Sequence, residues 1–289
     1  MKNILTLENV SITIDKKEIL KDVTFTVNSH DFIFLTGNNG SGKSSLLNVI
    51  AQDYRRHPYV NGEILYNGNI NFQDYDVLSK KNTSWYKKEI CYLRQDQLFT
   101  GSIFNYFYCI MDPIKENEKE IKRLPSIIND IQEFLGLDKK IITQQDVLDL
   151  FIENDFLLER IKENNGKKFL NQSINENLSG GEKKIVEILA AIMRAKNDSI
   201  KLLLIDEPFN HLDVKNIKRA VQLILSLRKL NPDLAIIVTT HCMAFPTPCS
   251  GVTDAIEEEY FKHYVISEGI LRNAYGNEKY EQGKCFINI

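Results

Sequence analysis

The stretch Gly37-Asn38-Asn39-Gly40-Ser41-Gly42-Lys43-Ser44 constrains this chain more than any other. An apolar run, Phe32-Ile33-Phe34-Leu35, precedes it, and an apolar-periodic segment at 46–50 follows it. A G-x-x-x-x-G-K-[ST] loop between a buried strand and a helix is a phosphate cradle. Its glycines let backbone N–H groups converge on phosphate oxygens, and the helix N-terminus adds the positive end of its dipole. The cradle set is Gly37, Asn38, Asn39, Gly40, Ser41, Gly42, Lys43, Ser44 and Ser45. Lys43 is placed to reach β- and γ-phosphates, and Ser44 to offer its hydroxyl to Mg²⁺.

Composition narrows the setting. At 289 residues the chain can bury a full α/β core with a subdomain attached. Its 36 basic and 39 acidic residues leave a formal net charge of -3, so no nucleic-acid or anionic-membrane partner is expected. No stretch is long and apolar enough to cross a bilayer; the richest, 103–111, is short and holds Asn105. The opening Met1-Lys2-Asn3-Ile4-Leu5-Thr6-Leu7-Glu8 lacks the apolar core and cleavage site of a signal peptide, so a cytoplasmic location is expected. Cys91, Cys109, Cys242, Cys249 and Cys285 fall without paired spacing, as free thiols do in a reducing compartment. A metal centre at Cys242 and Cys249 would need two more ligands that the sequence does not obviously supply.

Short β-rich runs at 4–7, 10–14 and 23–27 alternate as half-buried strands do. Residues 62–68 read as a strand closed by an Asn67-Gly68 turn, and 90–93 as another strand. From 96 to 177 the character changes. Apolar residues recur at helical spacing, at Ile127, Ile128, Ile131, Phe134 and Leu135, and again from Val147 to Ile161. Lys162-Glu163-Asn164-Asn165-Gly166-Lys167-Lys168 reads as an exposed loop. Helices are expected at 183–195 and 215–230, with buried strands at 202–205 and 235–239. Unalternating strands separated by helices predict a parallel sheet covered on both faces.

The strand Leu202-Leu203-Leu204-Ile205 ends in Asp206-Glu207-Pro208. Carboxyl ends of parallel strands open onto the ligand crevice. Asp206 is therefore placed to hold Mg²⁺, directly or through water, and Glu207 to polarise an attacking water.

At this point the chain resembles the ATP-binding cassette (ABC) ATPases. The likeness rests on motifs in that family's order: the phosphate loop at 37–44, a glutamine loop at Gln95, the signature Leu178-Ser179-Gly180-Gly181-Glu182, the acidic strand end at 202–207, and His241. Asn210-His211-Leu212-Asp213 and Val265-Ile266-Ser267-Glu268-Gly269 add two further segments. The resemblance implies a P-loop NTPase core with a mostly parallel sheet, an N-terminal antiparallel β subdomain and an inserted helical subdomain. One ABC ATPase domain is expected over 1–289: the core with its β subdomain at 1–95 and 178–246, the helical subdomain at 96–177, and an extension at 247–289. ATP and Mg²⁺ are the implied cofactors. His241 would hydrogen-bond the γ-phosphate, and Gln95 would sense Mg²⁺ and relay its state to a partner. His30, His57, His211 and His263 carry no such assignment and read as structural.

The signature Ser-Gly-Gly stands directly before a helix, so its N–H groups and hydroxyl form a second anion site. The resemblance implies head-to-tail pairing of two cassettes, with Ser179, Gly180 and Gly181 of one copy capping the γ-phosphate held by the other, and Asp213 facing the second subunit. A two-fold dimer makes both contacts with one interface.

Three departures stand out. The position that commonly stacks adenine falls on Ile14, which is not aromatic; such stacking is worth about 1–3 kcal/mol in nucleic-acid systems. Glu182 stands where many transporter cassettes carry Gln, and the following helix lacks the usual arginine around Ala190. Residues 95–103 are similar to the segment after the glutamine loop in exporter-type cassettes. Phe99, Phe104, Tyr106, Phe107 and Tyr108 cluster there, either as a groove for a membrane subunit's helix or as core of the helical subdomain. The expectation is an ATPase subunit, peripheral at the cytoplasmic face of a membrane, that energises a separate integral transporter subunit. The alternative is a soluble ABC ATPase of iron–sulfur cluster assembly or translation.

Overall fold

The computed structural model describes residues 2–52, 64–73, 75–77, 86, 88–95, 101–111, 142–196, 199–231, 233–241 and 261–274. They fall into two compact units, one drawn from 1–95, 195–209 and 221–289, the other from 96–194 and 210–220.

The first unit holds two sheets. In the smaller, β1 (Asn3–Ile14), β2 (Lys17–Asn28), β4 (Ile64–Phe72) and β5 (Tyr75–Asp76) pair antiparallel in the order β2-β1-β4-β5. The two runs at 4–7 and 10–14 join into one strand through a bulge at Asn9, whose φ of 52° is a left-handed conformation that asparagine tolerates. Here the turn expected at Asn67-Gly68 is corrected. Both residues lie within β4, and Gly68 alone stands opposite Asn9 and Val10 between the Glu8–Asn69 and Ser11–Asn67 pairs. An Asn-Gly pair serves a bulge as readily as a hairpin, because both need a residue at positive φ.

The larger sheet contains β3 (Phe32–Thr36), β6 (Ile90–Leu93), β7 (Leu202–Asp206), β8 (Ala235–Thr240), β9 (Phe261–Ser267) and β10 (Ile270–Asn273). Their order is β10-β9-β3-β8-β7-β6, and every neighbouring pair is parallel except β10–β9. Strands β3, β7 and β8 are buried at every residue, as unalternating apolar runs require. Helix α1 (Lys43–Ile50) sends Leu46, Leu47, Val49 and Ile50 into the core that both sheets share. Its C-terminal end is fixed by Tyr86, whose hydroxyl donates to the Ile50 carbonyl. The fold is thus a P-loop-type α/β core with an antiparallel β subdomain, as expected.

In the second unit lie α2 (Ile103–Met111), α3 (Gln144–Glu153), α4 (Leu158–Asn164), α5 (Gly166–Leu170), α6 (Ile174–Asn177) and most of α7 (Gly180–Ala195). Phe107, Phe151 and Phe169 are fully buried, with ring centroids 5.8 and 5.4 Å apart in succession. Of the aromatic cluster, Tyr106 and Phe107 are core, while Phe104 and Tyr108 are half-buried. The loop expected at 162–168 is corrected: its first residues end α4, its last open α5, and only Asn165 separates them, at φ 54°. Phe169 and Leu170 explain this, because their burial needs a helical turn that the charged run conceals. Helix α8 (Val214–Leu230) draws residues from both units. The expected apolar positions 127–135, Phe99, His57, Cys242, Cys249 and Cys285 lie outside the described residues. No helix among the described residues is long and apolar enough to cross a membrane.

Candidate functional site

Strands β3, β8 and β7 are adjacent, and the chain leaves their carboxyl ends through the phosphate loop, His241 and Glu207 respectively. Gly37 turns sharply out of β3 with φ 150°, and a Cβ there would overlap the Ile266 carbonyl of β9. No other residue type fits that approach. Asn38, Asn39 and Gly40 are exposed, Ser41, Ser44 and Ser45 are half-buried, and Gly42 precedes the first turn of α1. That turn carries no acidic residue, so the helix dipole's positive end is not neutralised by its own side chains.

Lys43 is only 5% exposed. Its Nζ donates to the Gly37 carbonyl at 2.8 Å and the Asn38 carbonyl at 3.2 Å, and stands 3.5 Å from Glu207 Oε1. The other Glu207 oxygen, Oε2, lies 3.0 Å from His241 Nδ1 and accepts the His241 backbone N–H at 3.3 Å. Glu207 therefore sits between a cation from the phosphate loop and an imidazole from the end of β8. Its backbone adopts φ 47°, a left-handed conformation uncommon for a side chain of this kind.

Asp206 is buried at the end of β7. Burial pushes its carboxyl above the ordinary range. Hydrogen bonds from Thr239 and Ser44 oppose that shift, the Glu207 charge adds to it, and Lys43 lowers it again. Asp206, Ser44, Lys43, Glu207 and His241 thus meet in one network, as a phosphate and cation site needs. Gln95, exposed, follows β6 at the same edge of the sheet, one strand beyond β7.

The second unit holds Ser179, Gly180 and Gly181. Ser179 caps α7 reciprocally. Its Oγ accepts the Glu182 N–H at 3.3 Å, while Glu182 Oε2 accepts the Ser179 N–H at 2.8 Å. Glu182 Oε1 also pairs with Arg160 Nε at 3.3 Å. Glutamate in place of glutamine at this position thus serves both a cap and an ion pair. Gly181 lies against His211, whose carbonyl would be 2.8 Å from any added Cβ. Asp213 caps α8 by accepting the Asn216 N–H at 2.8 Å.

One contributor escaped the sequence reading. Thr239 Oγ1 lies 2.5 Å from Asp206 Oδ1 and accepts the Glu207 N–H at 3.0 Å. The change from apolar residues to Thr239-Thr240 at the end of a buried strand was its only signal. His263 of β9 bonds Thr36 at 2.8 Å, immediately before the phosphate loop, and burial lowers its pKa to about 4. His263, read from the sequence as structural, has Thr36 as a partner.

Comparison with known proteins agrees with this geometry. A family model described as "ABC transporter" matches residues 20–210. The chain is 28% identical over 276 residues to a probable ABC transporter ATP-binding protein, p29, of Mesomycoplasma hyorhinis, covering 90% of this chain and 91% of that one. It is 30% identical to the methionine import ATP-binding protein MetN of Streptococcus pyogenes serotype M18, over 98% of this chain and 70% of the relative. It is also 29% identical to the lipopolysaccharide export system ATP-binding protein LptB of Haemophilus influenzae, over 83% and 80%. A solved ATP-binding subunit of an ABC transporter superposes with a TM-score of 0.58 at 17% identity, over 94% of this chain and 90% of its own. Ordered motifs, sheet topology and relatives agree, and the chain belongs to the ABC transporter family, with the fold of its ATP-binding cassettes.

Proposed function

We propose that this chain binds and hydrolyses ATP, pairs with a second cassette on Mg·ATP, and powers a separate membrane transporter subunit. The convergence of Lys43, Ser44, Asp206, Glu207 and His241 at one sheet edge carries this reading. The import and export systems named for relatives support the transport role.

The donors suit Mg²⁺, since Asp206 and Ser44 offer hard oxygens already hydrogen-bonded to each other. Asp206 and Ser44 would hold the ion, which would supply positive charge against the charge that develops on the phosphate oxygens. Lys43 exchanges the Gly37 and Asn38 carbonyls for β- and γ-phosphate oxygens, which releases Glu207 from its cation. Glu207 then takes the proton of the attacking water as general base. His241 meets Glu207 through Nδ1, which leaves Nε2 for the γ-phosphate. The Ser179 hydroxyl accepts from Glu182, so its own proton is left for the phosphate bound by the partner copy.

Replacing Glu207 with Gln removes the base and keeps its shape. We expect hydrolysis to fall about 10²–10⁴-fold and an ATP-bound dimer to accumulate in size-exclusion chromatography with light scattering. A Glu207→Gln variant that turns over at the wild-type rate removes the general-base role. Copurification with an integral membrane protein in mild detergent supports transport. Soluble partners alone point to a cytosolic ABC ATPase instead.

A further inference from the structure

We propose that Thr239 is a positioning residue for hydrolysis, its single hydroxyl fixing Asp206 and Glu207 relative to one another. This rests on the roles just proposed for those two carboxylates. Thr239 is fully buried, so its hydroxyl is withdrawn from bulk solvent. Its Oγ1 has one proton, and Asp206 Oδ1 at 2.5 Å is the carboxylate acceptor that takes it. The same oxygen is then an acceptor only, and it receives the Glu207 N–H at 3.0 Å. The Glu207 N–H can only donate, so Oγ1 accepts there and turns its own proton to the Asp206 carboxylate.

The placement has a reason in the sheet. β7 and β8 run in parallel register, with Asp206 opposite Thr239. Beyond Asp206 the chain leaves the ladder, because Glu207 enters the left-handed region. Its N–H therefore loses the strand partner it would otherwise have, and the Thr239 hydroxyl supplies the replacement. One atom thus holds the backbone turn that aims the Glu207 carboxylate toward Lys43 and His241. It also takes up one acceptor position on Oδ1 of Asp206, which limits the positions left on that carboxylate for a cation. Partners one shell out from a metal ligand commonly change metal affinity about 10–100-fold when removed.

The test compares full-length wild type with Thr239→Val, which keeps the branched shape and removes the hydroxyl, and Thr239→Ser, which restores it. Mn²⁺ binding with a non-hydrolysable ATP analogue is read by electron paramagnetic resonance, and ATP turnover is followed across a Mg²⁺ titration. Thr239→Val is expected to weaken Mn²⁺ binding about tenfold or more. It should lower kcat about 10–100-fold, as small misplacements of reacting groups do, while KM for ATP changes little because the phosphate loop is intact. Thr239→Ser is expected to restore both. If Thr239→Val unfolds, shown by its melting curve, Thr239→Ala, which also lacks the hydroxyl, takes its place. A folded Val or Ala variant with wild-type Mn²⁺ affinity and kcat overturns the assignment. Loss in both Val and Ser overturns it too, since the methyl group would then be what matters. A wild-type chain that neither binds Mn²⁺ with the analogue nor turns over overturns the site reading itself, together with Thr239's part in it.

Discussion

His263 shows what burial does to a single side chain. It lies in β9, 6% exposed, with Thr36 as its bonded neighbour and a pKa lowered to about 4. An unfolded chain protonates the same ring near pH 6.5. Between these values the unfolded state holds more protons, so stability is lost as pH falls from about 6.5 toward 4 and is retained above. The shift corresponds to about 3 kcal/mol at most. Urea denaturation of wild type and His263→Gln at a series of pH values tests this: wild type should lose more stability across that window. Curves that stay parallel would show that the ring is not held neutral. Lys43 raises a different issue. Its Nζ lies between two loop carbonyls and Glu207, so Lys43→Ala removes the proposed phosphate ligand and also leaves a buried carboxylate without its lysine partner. Such uncompensated charges destabilise by about 3–5 kcal/mol. A fluorescent ATP analogue should fail to bind the variant, and its melting temperature should drop as well. A variant that binds the analogue like wild type would remove Lys43 from the site.

Among the elements, α7 depends most on its first turn. Ser179 and Glu182 satisfy one another's N–H groups, and Arg160 of α4 ties the same carboxylate. Ser179→Ala should cost about 1 kcal/mol of stability through the lost cap. Under the proposed function it should also weaken ATP-dependent dimerisation, whereas Arg160→Ala should affect stability alone. Equal dimerisation of wild type and Ser179→Ala in Mg·ATP would leave the serine a cap and nothing more. Sequence patterning made the central elements legible because β3, β7 and β8 are buried on both faces and cannot alternate. The phosphate loop and the acidic strand end were legible because their chemistry needs particular residues at particular spacing. The bulge at Asn9 and Gly68 was not, since Asn-Gly suits a hairpin equally and only pairing across three strands decides. Helix α5 was hidden by lysines that stay exposed while Phe169 and Leu170 are buried. Thr239 escaped because its importance lies in what faces it from β7.

For the whole chain, the order β10-β9-β3-β8-β7-β6 places the strand that feeds the phosphate loop between two that come much later in sequence. β3 bonds β8 on one side and β9 on the other, and Gly37 closes against Ile266 of β9. A chain ending at residue 241 keeps every proposed contact residue and lacks β9. It should bind no fluorescent ATP analogue and melt without a cooperative transition; nucleotide binding by that fragment would show that β3 needs only one neighbour. The same weave governs synthesis. A ribosome making this protein emits the cradle about two hundred residues before its brace, so under the proposed function the nascent chain should not hold ATP until Phe261–Ser267 has cleared the exit tunnel.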